Sequence, residues 1–209
     1  MPQASAGQDD VETGCYQGRC VGVAQRVKTH AREIQADTGS ACVCGGQGKR
    51  GRRYGLRDAT MILVAFRHGL RVSELCALTW DQIDFSHGLI HVRRMKNGIP
   101  SVHQLGGEEM RSLRALKREV GASRYVFMTE RKAPMTPAGF RKMLSRLAAG
   151  AKFQFSVHPH MLRHACGYKL ANDGRDTRAL QHYLGHKNIM HTVRYTELSP
   201  ERFKNFWED

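Results

Sequence analysis

Apolar residues recur at helical spacing from about residue 55 to the end of the chain, with one interruption. That pattern confines the fold to α+β, mainly α, with a small antiparallel β-sheet. The interruption is Gly88–Met95, which alternates as a strand. Asn97-Gly98 follows as a two-residue turn signal, and Ile99–Leu105 returns. Ahead of the patterned region the sequence is of another kind. Residues 1–48 are rich in Gly, Gln, Ala, Ser and Thr; only Val21–Ala36 carries a weak helical pattern, and Gly39–Gly48 reads as a flexible linker. The expected organisation is a poorly ordered segment, 1–48, followed by one folded domain, 49–209.

Within that domain Asp58–His68 reads as a helix with Gly69 as its stop, and Ser73 as the N-cap of a short helix through Leu78. Glu108–Val120 is a basic amphipathic helix, and Tyr125–Met128 a short strand. Thr136-Pro137 caps a helix that puts Phe140, Met143, Leu144 and Leu147 on one face. Three more helices are expected over His160–Ala171, Asp176–Leu184 and Asn188–Tyr195, and a last one after Ser199-Pro200. Met161, Leu162, Tyr183 and Leu184 read as core, and Cys76 and Cys166 as small buried apolar residues.

Thirty-three Lys and Arg against nineteen Asp and Glu give a net charge of +14, which favours a polyanionic partner. No apolar run approaches the roughly 18 residues of a membrane helix. Met1–Glu12 lacks the basic start and apolar block of a secretory signal. A cytoplasmic, nucleoid-associated protein is expected, with its six cysteines as thiols rather than disulfides.

The chemistry gathers near the C-terminus, in Pro159-His160-Met161-Leu162-Arg163-His164, Leu184-Gly185-His186 and Val193-Arg194-Tyr195-Thr196. A phenol is a nucleophile once deprotonated, guanidinium presents a fixed fork of donors to phosphate oxygens, and imidazole exchanges protons near neutral pH. Together they point to attack on a phosphodiester.

These segments, with His68-Gly69-Leu70-Arg71-Val72-Ser73-Glu74-Leu75 and the hairpin lysine Lys96, resemble in order and spacing the tyrosine recombinases, or phage-type integrases, over residues 55–209. The run from His158 to Trp207 is most similar to the small recombinases that invert fimbrial promoter segments and to short integrases of mobile elements. The resemblance implies that Tyr195 attacks the scissile phosphate to form a 3′-phosphotyrosyl link. Arg71 and Arg163 would hold the non-bridging oxygens, and Lys96 would protonate the leaving 5′-oxygen. His160 would assist proton movement at the nucleophile, His186 would hydrogen-bond a phosphate oxygen, and Glu74 would steady the site from behind. It implies double-stranded DNA as partner, a homo-tetramer on synapsed sites, accessory DNA-bending proteins, and no metal or nucleotide cofactor. It also implies that the segment past the nucleophile, with Phe203, Phe206 and Trp207 on one face, docks on a neighbouring protomer, the alternative being that this face folds back onto its own domain.

Rival readings stand beside these. Lys96 could be an ordinary solvated turn lysine near Arg93 and Arg94, and Glu74 a helix-surface acid. His160 with His164, and His182 with His186, have the four-residue spacing of metal pairs, but no HExxH accompanies them. Cys15, Cys20, Cys42 and Cys44 do not match ordinary structural zinc spacings. A type IB topoisomerase-like relaxing enzyme and an inactive DNA-binding regulator are the functional alternatives. Residues 1–48 cannot supply the separate helical DNA-clamping domain most members carry, so a truncated product or a minimal recombinase relying on neighbours is expected.

Overall fold

A computed structural model describes residues 55–95 and 98–197, together with Gly22 and Arg26. The expected linker, the four N-terminal cysteines, Lys96, Asn97 and the aromatic C-terminal segment lie outside the described residues.

The first helix of the domain, α1 (Gly55–His68), is buried along the whole run Ala59–Ala65. A helix apolar on all sides belongs at the centre of a domain. It ends at Gly69 (φ +56°), where a β-carbon would stand 2.5 Å from Leu184 Cδ2, so that only glycine fits both the backbone and the space. The next helix, α2 (Val72–Cys76), starts earlier than expected, with Arg71 rather than Ser73 at its N-cap. The reason is Glu74, whose charged carboxylate accepts the Arg71 backbone N–H at 2.9 Å and replaces the neutral hydroxyl as the cap.

The sheet has three antiparallel strands in the order β1 (Ile83–Asp84), β2 (Leu89–Val92) and β3 (Ser101–Gln104). Ile90 faces Ile83 on one side and His103 on the other. The sequence did not signal β1, because two residues leave no alternation to read. The expected strand Tyr125–Met128 is instead a pair of isolated bridges, Thr79 with Tyr125 and Met128 with Pro134. Val126 donates to Leu78 at 3.0 Å, whereas Phe127 accepts from Met135 at 2.9 Å, so the segment changes partner midway.

Helices α3 (Gly107–Val120), α4 (Pro137–Gly150) and α5 (Pro159–Asn172) complete the main core. The side chain of Thr136 accepts the Gly139 N–H at 3.0 Å, and Phe140, Met143, Leu144 and Leu147 are buried as the periodicity requires. Met161, Leu162, Leu184, Cys76 and Cys166 are buried as expected, and Tyr183 is half-buried. The last two described helices are α6 (Thr177–Leu184), capped by Asp176, and α7 (Met190–Thr196). They pack on α5 around a second small core of Cys166, Tyr168, Ala171, Leu180, Leu184 and Tyr195.

A buried polar cluster ties sheet to helices. His68 at the end of α1 and His103 on β3 face each other through Nδ1 atoms 3.1 Å apart. His68 Nε2 lies 3.0 Å from Glu109 Oε1 on α3. The His103 ring stacks on Tyr183 of α6 with centroids 3.8 Å apart.

Candidate active site

Glu74 organises the first half of the site. One carboxylate oxygen meets Arg71 Nη1 at 2.8 Å, and the other meets Arg94 Nη1 at 3.0 Å. The side chains of Glu74 and Arg94 are 1% and 0% exposed, so this is a fully buried ion pair with Arg71 on its rim. Burial alone would raise the Glu74 carboxyl. The hydrogen bonds from Arg71 and the charge of Arg94 outweigh it and hold the group below its ordinary value.

Arg163 comes from α5. It donates through Nη1 to the Gly69 carbonyl and through Nη2 to the Leu184 carbonyl at 2.7 Å. It is buried, and its pKa is pushed down to about 10, first by desolvation and then by Arg71 and Arg94. Three guanidiniums thus share a region with the Glu74 carboxylate, whose charge opposes those of Arg71 and Arg94 on Arg163.

The Leu184-Gly185-His186 motif is the C-terminus of α6. Gly185 is left-handed (φ +66°), its N–H donates to His182, and the His186 N–H donates to Gln181 at 3.0 Å. These two bonds are a Schellman ending, and they fix where His186 leaves the helix. A β-carbon on Gly185 would stand 2.7 Å from Arg94 Nε. The next carbonyls are also taken: Arg94 Nη2 donates to Tyr183 and Arg163 Nη2 to Leu184. His186 Nδ1 is 2.9 Å from Thr192 Oγ1, which leaves Nε2 for a ligand. Burial first, then Arg163 and Arg71, push the His186 pKa down to about 3, so its ring is neutral at neutral pH.

Tyr195 on α7 is buried, with its hydroxyl 2.8 Å from His164 Nδ1. Tyr168 meets its ring edge-on at 5.0 Å, and the His186 ring lies nearly parallel to it at 6.3 Å. Burial pushes the phenol up to about 12, opposed mainly by the charge of Arg163. His160 is exposed one turn before His164, with ring centroids 6.5 Å apart. Its pKa is lowered by desolvation and by neighbouring His158, Arg163, Arg141 and Arg71.

Arg71, Glu74, His160, Arg163, His186 and Tyr195 therefore converge, from four separate stretches of chain. Lys96 lies outside the described residues, between β2 and β3, whose flank carries Arg94. Sequence reasoning missed two members. Arg94 stood in phase with Ile90 and Val92 on the buried face of the alternating strand, whereas Arg93 points out to Asp81 at 2.9 Å. His164 appeared only as the last letter of the Pro159–His164 motif and as the metal-spaced neighbour of His160, with no role. Among the described residues no three His, Cys, Asp or Glu side chains are grouped to hold a metal ion. No helix of the described residues is long and apolar enough to cross a membrane.

The chain belongs to the Phage integrase family, which it matches over residues 49–202. It is similar to the Type 1 fimbriae regulatory protein FimE of Escherichia coli K12, with 42% identity over 160 residues, or 74% of this chain and 81% of that one. Its identity with the tyrosine recombinase XerC of Bacillus subtilis strain 168 is 32% over 163 residues, covering 72% of this chain; the chain spans 52% of that protein. In fold it resembles the Tn1549 transposon integrase solved in complex with transposon right end DNA. There the TM-score is 0.59 and the identity 23%, over 70% of this chain and 56% of that one.

Proposed function

We propose that this protein is a site-specific DNA recombinase that cuts and rejoins duplex DNA through a 3′-phosphotyrosyl intermediate at Tyr195, within a catalytic domain of residues 49–209. The observation that carries this reading is a buried phenol under the charge of Arg163 and beside the His186 ring, with Arg71 and Arg94 gathered on the Glu74 carboxylate. A surface tyrosine gains nothing from that surrounding, whereas an attacking phenolate and a pentacovalent phosphorus do. Arg71 and Arg163 hold the non-bridging oxygens, and His186 donates to one of them through Nε2. Lys96 supplies the proton for the leaving 5′-oxygen, and His160 on the exposed turn of α5 serves proton movement at the nucleophile. Glu74 keeps Arg71 and Arg94 in place without touching substrate. The phosphotyrosyl bond stores the energy of the cut strand, so rejoining needs no cofactor. The net charge of +14 suits duplex DNA. Recombination requires a homo-tetramer on synapsed sites, assisted by accessory DNA-bending proteins, in the cytoplasm.

The test is a nicked suicide duplex carrying candidate sites from the neighbourhood of the gene. Wild-type protein is expected to form a denaturation-resistant adduct, and Tyr195→Phe to bind the same duplex without one. An adduct from the Phe variant removes Tyr195 from the chemistry. Binding without any adduct by the wild type, on sites it protects, favours a DNA-binding regulator.

A further inference from the structure

The cleavage step leaves one group to be found. The Tyr195 hydroxyl is buried and must lose a proton as it attacks, and His160 is exposed one helical turn away from the ring that touches it. We infer that His164 is the general base for Tyr195, taking the phenol proton directly on Nδ1 and passing it outward past His160. The inference rests on the recombinase reading above.

The geometry is specific. His164 Nδ1 stands 2.8 Å from the hydroxyl oxygen, within the range for direct proton transfer. Tyr195 is held in that place from three sides. Gly167, three residues beyond His164 on α5, lets the ring lie where a β-carbon would stand 2.8 Å from Cζ. Tyr168 meets the ring edge-on, and His186 covers it. His164 is half-buried, one helical turn beyond exposed His160, with the two ring centroids 6.5 Å apart.

Charge sets the protonation state. Facing His164 are His160 and Arg163 of α5, His158 just before that helix, and Arg194 and Tyr195 of α7. Burial first, and then these positive neighbours, push its pKa down to about 4, so without DNA the ring is neutral and Nδ1 can accept. A phosphodiester bound against Arg71 and Arg163 brings a negative charge that offsets the same neighbours. Substrate binding therefore strengthens the base only where there is a phosphate to attack.

The step balances as follows. The Tyr195 Oη–phosphorus bond forms as the phosphorus–O5′ bond breaks. The phenol proton goes to His164 Nδ1, and the leaving oxygen takes its proton from Lys96. Rejoining runs in reverse: the 5′-hydroxyl attacks phosphorus and gives its proton to Lys96, while His164, reprotonated from the outside, returns a proton to the departing phenolate.

The experiment compares wild type, His164→Asn and Tyr195→Phe on two suicide duplexes, one ordinary and one with sulfur bridging at the 5′ position. Asn can keep a hydrogen bond to the phenol but cannot take its proton. Sulfur leaves without protonation, so it rescues a missing acid and not a missing base. Cleavage by His164→Asn is expected to fall about 10²–10⁴-fold, the range for one positioned acid–base group, and to stay low with sulfur. Wild-type rates on the ordinary duplex, or full rescue by sulfur, overturn the assignment. An adduct from Tyr195→Phe would instead overturn the recombinase reading itself. A second measurement needs no DNA and no folded variant of His164. Histidine ¹⁵N shifts of the wild-type protein are expected to show His164 protonated on Nε2 with Nδ1 accepting. A proton on Nδ1 in the neutral ring would make it a donor to the phenol and sink the proposal.

Discussion

Replacing Glu74 with glutamine keeps the shape of the side chain and removes the charge on which two arginines depend. Arg94 then sits with no exposed side-chain surface and no carboxylate, beside Arg71 and Arg163. Breaking a buried ion pair from one side costs about 3–5 kcal/mol, because the surviving charge is left desolvated. A similar figure, about 3–6 kcal/mol, comes from the bonds. Two charge-assisted hydrogen bonds at roughly 1.5–3 kcal/mol each are lost or weakened. Against a typical stability of about 5–15 kcal/mol, that is a large fraction. For a chain of this length the expected fall in Tm is on the order of 6–20 °C. Urea unfolding of DNA-free protein measures it directly, and because the pair is buried the loss should barely change between low and high salt. Glu74→Leu combined with Arg94→Met removes both charges and is expected to recover part of the loss, since an apolar pair of similar volume replaces a buried ion pair nearly neutrally, while the Tyr183 carbonyl and the Arg71 N–H still lose their partners. A single variant that costs less than about 1 kcal/mol, or a double variant no more stable than the single, would refute the reasoning.

Acid should weaken the fold before its carboxylates titrate. The pKa values of His103 and His186 are each pushed down to about 3, largely by burial, from an unfolded value of about 6.5. The unfolded chain therefore binds more protons, so stability present above pH 6.5 is lost as pH falls toward 3, by roughly 1–2 kcal/mol for each ring at pH 5. Half-buried His164 adds in the same direction, whereas Glu74 and Glu109, lowered below their ordinary values, contribute loss only at still lower pH. A Tm unchanged between pH 7.5 and 5 would contradict this. Gly167→Ala places a β-carbon 2.8–2.9 Å from three ring carbons of Tyr195, so the phenol must move. Overpacking of this kind costs about 1–3 kcal/mol, which leaves the domain folded while adduct formation is lost; adduct yield near that of wild type, with DNA binding retained, would show that Tyr195 does not act from this position.

What could be read from the sequence is what is local. Thr136 and Asp176 cap their helices through N–H groups three residues on, and a reader needs only those few letters. Gly69 announces the end of its helix for the same reason, and the motif residue Arg71 stands two residues on. Arg94 was harder, because its partners Glu74 and the Tyr183 carbonyl are 20 and 89 residues away. The strand phase did point it inward, but a buried arginine is unexpected until its carboxylate is known. The role of His164 depended on where α7 would land, 31 residues later. The pair His160 and His164 on α5 was legible as one face, yet nothing in it named the ring that covers it. The His68–His103 contact has the same origin, since the alternation puts a histidine on the buried face of β3 without saying what it meets.

How a cluster of cations stays assembled without phosphate follows from the end of α6. A helix leaves its last four carbonyls without intrahelical partners, and they carry the negative end of the helix dipole. Here Gln181 and His182 are satisfied by the backbone of His186 and Gly185, and Tyr183 and Leu184 by Arg94 and Arg163. Gly69, just past the end of α1, takes a second bond from Arg163. Two of the three arginines thus complete helix ends that would otherwise be orphaned in the interior. The carbonyls orient each guanidinium and offset part of its charge, but as dipoles they do not neutralise it. With Glu74 as the carboxylate among them, positive charge remains to be met, and it is held in place before any DNA arrives. A phosphate entering the site meets donors that need not reorganise, which is the condition under which such donors stabilise a transition state most.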